Sequence, residues 1–275
     1  MNIREKDISV IVPVFNGEKT IIKTLQSICQ QTAKEYIKQI IIIDDGSVDK
    51  TAKIITEYSK QVDIDIRLYS FKNSGVSKAR NEGIKRSEGP WIALCDADDI
   101  WFPQKLEKQV KLINTHNDID FLGGNHTNYV QKILWKKLDK LTKLNVYDLG
   151  IKMLPQTSTA IFKKKVIEKS GVYDENQYYA EDGNFFMRIA ANYNYYYSPE
   201  QVVYYGDGKR GFGDSGLSAN IEEMHKGIIK NIKEMKCLKY YGFCFYLLSI
   251  AFENIKYYRR KWILKYAKKN NNLYK

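Results

Sequence analysis

The sequence predicts a doubly wound α/β domain with a mostly parallel sheet, followed by a helical extension. Three observations carry this. Short β-branched apolar runs alternate with stretches of helical spacing through the first hundred residues. The runs are apolar throughout, as strands covered on both faces are. Each of three runs ends in a polar cluster: Asn16-Gly17, Asp44-Asp45-Gly46-Ser47 and Asp96-Ala97-Asp98-Asp99.

Ile8 to Phe15 is the first strand, broken by Asn16-Gly17. Glu18 to Thr32 places Ile21, Ile22, Leu25 and Ile28 at helical spacing. Gln39 to Ile43 is the second strand, Asp49 to Tyr58 a helix and Ile64 to Tyr69 the third strand. Gly75 to Lys85 is a helix and Trp91 to Cys95 the fourth strand. This alternation specifies the doubly wound sheet. Ligands of such sheets bind beyond the carboxyl ends of the strands, so the three polar clusters should meet on one rim.

From Trp101 the rhythm changes. Lys105 to Asn114 reads as a helix, and mixed short segments follow Asp120. Ala160 to Phe162 reads as a strand, Gly171 to Asn184 as loop-rich and Phe185 to Ala191 as helical. From Ile221 the pattern is helical, aromatic and basic.

Asp96-Ala97-Asp98 carries the sharpest chemistry. Two carboxylates one residue apart after a buried strand suit Mg²⁺ or Mn²⁺. Such a metal bridges a diphosphate and neutralises a leaving group. A lone pair of this kind is weak, because acidic loops are common. Its place after Trp-Ile-Ala-Leu-Cys and before Asp99 raises its weight.

The bulk composition narrows the class. With 44% hydrophobic residues in 275, a full core can be buried and bulk disorder is excluded. The net charge of +12 favours anionic partners. Ile221 to Lys275 holds 13 Lys/Arg against 4 Asp/Glu, so most of the excess lies there. The cysteines Cys29, Cys95, Cys237 and Cys244 form no CxxC pair, which fits a reducing cytoplasm. No leader peptide is read at the start, and no run of 18 apolar residues predicts a membrane span.

Three segments together resemble glycosyltransferase family 2, with its GT-A fold: SVIVPVFNGEKTIIKTLQSICQQT, IIIIDDGSVDKT and NSGVSKARNEGIKRSEGPWIALCDADD. The resemblance is dense over residues 8–103 and thinner to about residue 190. It implies a catalytic domain over 1–218, with a nucleotide-sugar half over about 1–100 and an acceptor half over 101–218. Residues 219–275 form the extension. Pro13, Phe15 and Asn16 are similar to the segment lining the nucleoside pocket, where Phe15 stacks on a base or else is a core aromatic. Asp45 is similar to the acid that hydrogen-bonds the base, and Asp44 to a residue shaping the same loop. Arg80 is similar to the donor-site arginine; a salt bridge to Asp44 or Asp98 is its structural alternative. Asp96 resembles the ribose or metal contact, Ala97 lies between, and Asp98 resembles the direct metal ligand.

In the second half, Glu181-Asp182 resembles the family's acidic pair about eighty residues after the first motif. An inverting transferase needs a carboxylate to take the acceptor's proton. Asp182 is favoured for that role and Glu181 is second; a solvated helix start is the alternative. Thr157, Ser158 and Thr159 offer hydroxyls to an acceptor, or else a loop held by local hydrogen bonds. Gly206 to Ser218, with Lys209 and Arg210, reads as a lid on the pyrophosphate. It contains no histidine, and with His225 beyond it the third metal ligand is open.

Tyr240 to Phe252 carries no charge and is too short for a span of ~20 residues. The basic and aromatic run after it suits an anionic membrane surface, or else a helix packed on the domain. The expected activity is transfer from a nucleotide-diphosphate sugar, uridine-linked at the family level, to a glycan or lipid-linked acceptor of surface polysaccharide or glycoconjugate. The setting is the cytoplasm or the inner face of the plasma membrane. A nucleotidyltransferase is a second reading, without the Gly-rich, Arg/Lys-bearing loop expected at its first strand. A nucleic-acid binder is a third, which the acidic rim opposes.

Overall fold

The computed structural model describes residues 2–206 and 216–271, with side chains as far as residue 266. The middle of the expected lid, 207–215, lies outside the described residues.

The first half alternates β1 (Ile8–Val14), α1 (Ile21–Cys29), β2 (Ile37–Asp44), α2 (Thr51–Ser59), β3 (Ile66–Ser70), α3 (Val76–Arg86) and β4 (Trp91–Leu94). β1 pairs in parallel with β2 and β4, and β2 in parallel with β3. The spatial order β3-β2-β1-β4 puts the switch in strand order between β1 and β4, where a crevice opens. Both faces of β1 are covered. Ile8, Val10, Val12 and Val14 share a core with Ile21, Leu25 and Ile28 of α1, while Ile11 joins Ile84 of α3 on the other side. A Cβ on Gly83 would meet the Ile11 side chain at 2.4 Å, so glycine lets α3 lie close on β1.

The chain continues through β5 (Ile100–Trp101), α4 (Lys105–Thr115), β6 (Phe121–Asn125), β7 (Lys132–Ile133), β8 (Lys136–Lys137), β9 (Thr142–Leu144) and α5 (Val146–Ile151). Then come β10 (Ile161–Lys163), α6 (Ile167–Ser170), α7 (Glu181–Asn192), β11 (Tyr195–Gln201) and β12 (Val203–Tyr204). One eight-stranded sheet, β3-β2-β1-β4-β10-β6-β11-β9, runs through both halves. It turns mixed after β4: β10 is antiparallel to β4 and β6, and β11 is parallel to β6 but antiparallel to β9.

Two elements depart from the sequence reading. The segment read as loop-rich to Asn184 is already helical from Glu181. Ala180 turns the chain there with a left-handed φ of 55°, and the acids of the first turn favour a helix N-terminus. β6 hides behind Gly123-Gly124, which looks like a breaker. A Cβ on Gly123 would meet Pro155 at 2.1 Å, and one on Gly124 would meet Val202 at 2.5 Å, so the glycines serve close packing.

The extension is α8 (Ile221–Cys237) and α9 (Phe243–Asn271). The two pack on each other, α8 also on α7 and α9 on α5. Among the described residues no helix is long and apolar enough to cross a membrane.

Candidate active site

A cleft of about 1030 Å³ opens at the β1/β4 switch. Pro13, Phe15, Asn16, Arg80, Asp96, Ala97, Asp98, Thr157, Glu181 and Asp182 all border it. The polar end of β1, the end of β4 and the start of α7 therefore converge.

Each wall has a local cause. Asn16 takes a left-handed φ of 50° at the end of β1; its N–H donates to Ser47 Oγ at 2.8 Å and its Oδ1 accepts from the Val48 N–H at 2.9 Å. Phe15 is 52% exposed and faces the cleft, so it is not a core aromatic. The Thr24 hydroxyl of α1 donates to the Ala97 carbonyl at 3.0 Å and pins the acidic loop. Of the five non-glycine residues with left-handed φ among the described residues, Asn16 and Ala180 line the cleft, where backbone strain tends to be kept for function.

Arg80 is the buried hub. Its guanidinium donates to Glu181 Oε1 at 2.6 Å and to Asp96 Oδ1 at 2.9 Å. Arg80 forms its salt bridges with Asp96 and Glu181, because α3 presents it between β4 and α7. Burial opposes its charge, but Asp96 and its neighbours hold its pKa well above the ordinary value. Burial pushes the Glu181 carboxyl up to about 7, against the pull of Arg80. Asp182 is half-buried and borders the cleft; its Oδ2 accepts from the Thr157 hydroxyl at 3.1 Å.

Four other singled-out residues stand outside the cleft lining. Asp45 accepts the Ser74 and Gly75 N–H groups at 2.7 and 2.8 Å, just before α3. Asp44 accepts the Ser47 N–H at 2.9 Å. Ser158 and Thr159 are fully buried, and the Thr159 hydroxyl accepts from the Gly124 N–H.

Asp99 has a role that sequence reasoning missed. It is buried and accepts from Ser158 Oγ at 2.5 Å, Gln156 Nε2 at 2.7 Å and the Gly206 N–H at 2.8 Å. Burial, reinforced by Asp96, pushes it up to about 7. It ties the acidic loop to the 156–158 segment and to the first residue of the expected lid. Lys19, Val76, Gln156, Tyr205, Leu217 and Met224 also line the cleft. Their only signal was nearness to the motifs, and Met224 of α8 had none.

Charge decides what the cleft can hold. Asp96, Asp98, Glu181 and Asp182 face only Arg80 and Lys19 among the lining residues. A diphosphate would add negative charge to that surplus. Among the described residues no three His, Cys, Asp or Glu side chains cluster as a metal cage. One or two carboxylates with phosphate and water oxygens is the donor set Mg²⁺-like ions accept, so the residues present fit such an ion.

A parallel half fused through one sheet to a mixed second half, with the cleft at their junction, is the GT-A architecture. The chain belongs to glycosyl transferase family 2: the family model "Glycosyl transferase family 2" matches residues 9–171. It is 31% identical over 195 residues to an uncharacterized glycosyltransferase of Rickettsia bellii, covering 69% of this chain and 27% of that protein. It is 27% identical over 210 residues to the poly(ribitol-phosphate) beta-N-acetylglucosaminyltransferase TarS of Staphylococcus aureus, covering 74% of this chain and 35% of that one. The chain thus spans about a third or less of the length of these relatives. The structure of TarS 1–349 in complex with UDP-GlcNAc superposes with a TM-score of 0.66 at 22% identity, over 82% of this chain and 66% of that one. The mannosyltransferase PcManGT of Pyrobaculum calidifontis, in complex with GDP-Man and Mn²⁺, gives 0.66 at 18%, over 84% and 64%.

Proposed function

We propose that the chain is an inverting glycosyltransferase that moves a sugar from a nucleotide-diphosphate donor, uridine-linked, to a glycan or lipid-linked acceptor of the cell surface. The observation that carries this is the division of labour between neighbouring carboxylates. Glu181 is locked on Arg80, while Asp182 borders the cleft shared with Asp96 and Asp98. Asp182 takes the proton of the acceptor hydroxyl as that oxygen attacks the anomeric carbon. Thr157 orients the Asp182 carboxylate through its hydroxyl. Phe15 stacks on the base, with Pro13 and Asn16 as the wall of that pocket. Asp44 shapes the turn whose Ser47 meets Asn16, and Asp45 holds the turn that starts α3.

Asp98, with Asp96, would hold Mg²⁺ or Mn²⁺, which when bound neutralises the departing diphosphate. Arg80 fixes Asp96 beside Asp98. Residues 1–218 form the catalytic unit and 219–275 an extension that closes one side of it, since Met224 reaches the cleft.

The same extension supports docking on the inner face of the plasma membrane. Phe243, Leu247, Leu248, Ile255, Tyr258 and Trp262 are exposed along α9. Arg259, Lys261 and Lys265 are exposed beside them, and the helix's single acid, Glu253, is buried. An apolar and aromatic face with basic flanks suits an anionic lipid surface.

A thermal-shift panel of UDP-, GDP-, TDP- and CMP-sugars, each with Mn²⁺, Mg²⁺ or EDTA, tests the donor assignment. A ligand at 100 times its dissociation constant adds ~2.7 kcal/mol of stability. A shift with one nucleotide class that EDTA abolishes is expected. No shift with any nucleotide, with acceptor extract present or absent, overturns the reading.

A further inference from the structure

A second groove, of about 600 Å³, lies between the β7–β8 hairpin and the end of α5. Lys132, Lys137 and Lys152 line it, with Tyr129, Val130 and a single acid, Asp139. None of the three ammonium groups has a carboxylate within ion-pair distance among the described residues. Lys152 donates to Gln131 Oε1 at 2.7 Å and to the Lys132 carbonyl at 3.3 Å. These neutral acceptors hold Lys152 in place without cancelling its charge. Burial pushes the Lys152 pKa down, and the nearby charge of Lys256 on α9 pushes it further the same way. With three lysines against one acid, the groove carries a net positive charge.

The groove adjoins the cleft by two routes. The backbone runs from Lys152 in the groove to Gln156 and Thr157 in the cleft. Four residues of chain span at most about 14 Å. The His126 ring also packs edge-on against Tyr205 of the cleft at 5.8 Å, and the charge of Lys152 is felt at His126. Tyr129, 62% exposed, offers a ring face at the groove; such a face takes a sugar.

We propose that this groove is an acceptor subsite for phosphate: Lys132, Lys137 and Lys152 hold a phosphate monoester or phosphodiester of the acceptor while its hydroxyl lies in the cleft. The inference rests on the transferase reading, because only a transferase needs a second ligand beside the donor. Flexible ammonium groups are point charges that accept phosphate from several directions. A separation of at most about 14 Å between Lys152 and Gln156 limits how far the charged group stands from the glycosylated hydroxyl.

The test uses the full chain in EDTA at low salt, with tripolyphosphate as the soluble probe. Neutral phosphatidylcholine vesicles with and without a polyprenyl phosphate form the lipid arm. Wild type binds, and K132Q/K137Q loses at least about tenfold in affinity. K132R/K137R restores it, and K132Q/K137Q melts at the wild-type temperature, which a folding defect would not allow. Asp98→Ala keeps phosphate binding. Lysine-dependent binding of the soluble probe alone assigns the phosphate to a soluble acceptor; a lysine-dependent gain on the doped vesicles assigns it to a lipid carrier. Undiminished binding by K132Q/K137Q, or no binding of either probe by wild type, overturns the subsite. Absent nucleotide binding with intact lysine-dependent phosphate binding would strike the transferase reading instead.

Discussion

Two buried charge clusters, one under the cleft and one in the extension, are built with opposite surpluses. Under the cleft a single guanidinium, Arg80, serves Glu181 and Asp96, while Asp98 and Asp182 border the same space. In the extension a single carboxylate, Glu253, meets Lys256 Nζ at 2.7 Å, the Arg260 guanidinium and, at 3.7 Å, the His225 ring. The second cluster pairs its one carboxylate with its own basic groups, although Arg260 Nε and His225 Nδ1 have no hydrogen-bond partner among the described residues. The first has more anions than cations among the described lining residues and opens on a cleft. Burying charge can serve architecture or ligand binding, and the sign of the surplus with its access to solvent tells which.

The largest effect expected on that contrast is at Asp182. Asp182→Asn keeps the shape and an acceptor for the Thr157 hydroxyl but removes the proton acceptor. Transfer should fall by ~10²–10⁴-fold with nucleotide affinity unchanged. Full activity in a steady-state assay would remove Asp182 from the mechanism. Asp98→Ala should lower transfer by ~10²–10³-fold and abolish the metal-dependent thermal shift, with the apo-protein melting as before. A variant that keeps its metal-dependent shift would show that the cleft's surplus has another purpose.

Glu253→Ala asks the converse question. Removing that acid leaves Arg260 without its carboxylate and Lys256 with only the Ile151 carbonyl among the described hydrogen-bond partners; the two keep 24% and 33% of their side-chain surface. The cost should be about 2–3 kcal/mol, below that of a fully buried pair. Hydrogen exchange should locate the loss in α9, with nucleotide binding retained. Loss of nucleotide binding at equal foldedness would mean that the extension belongs to the site and not only to its scaffold.

The parallel half was legible because its strands are covered on both faces. Ile40–Ile43 reads as one apolar run since Ile40 and Ile42 face one core and Ile41 and Ile43 another. The rim was legible because the polar residues stop those runs abruptly. The mixed half was not, because its strands are written in glycine and tyrosine whose reasons lie across the fold. Gly123 is small for Pro155, and Tyr195 is buried with its hydroxyl on the Leu154 carbonyl. The Arg80–Glu181 pair spans 101 residues, so no local pattern announces it. Residue types drew attention to both, but their partnership is a product of topology. Asp99 looked like a third rim acid; only burial reveals it as an internal knot.

Glu181 gives the last and smallest test, and its sign is fixed. Its carboxyl has an ordinary pKa near 4.5 and is pushed by burial up to about 7 in the folded chain. An acid raised on folding binds more protons folded than unfolded between those values. Its contribution is therefore complete below about pH 4.5 and is lost as pH rises through about 7. Glu181→Gln should flatten the decline, so that wild type loses on the order of 1–3 kcal/mol more than the variant across that span. Urea denaturation at several pH values reads the difference directly, because the other titrating groups are common to both proteins. Parallel curves would mean that Arg80 wins over burial and keeps Glu181 ionised throughout. Glu181 would then add its negative charge to the cleft lining at neutral pH.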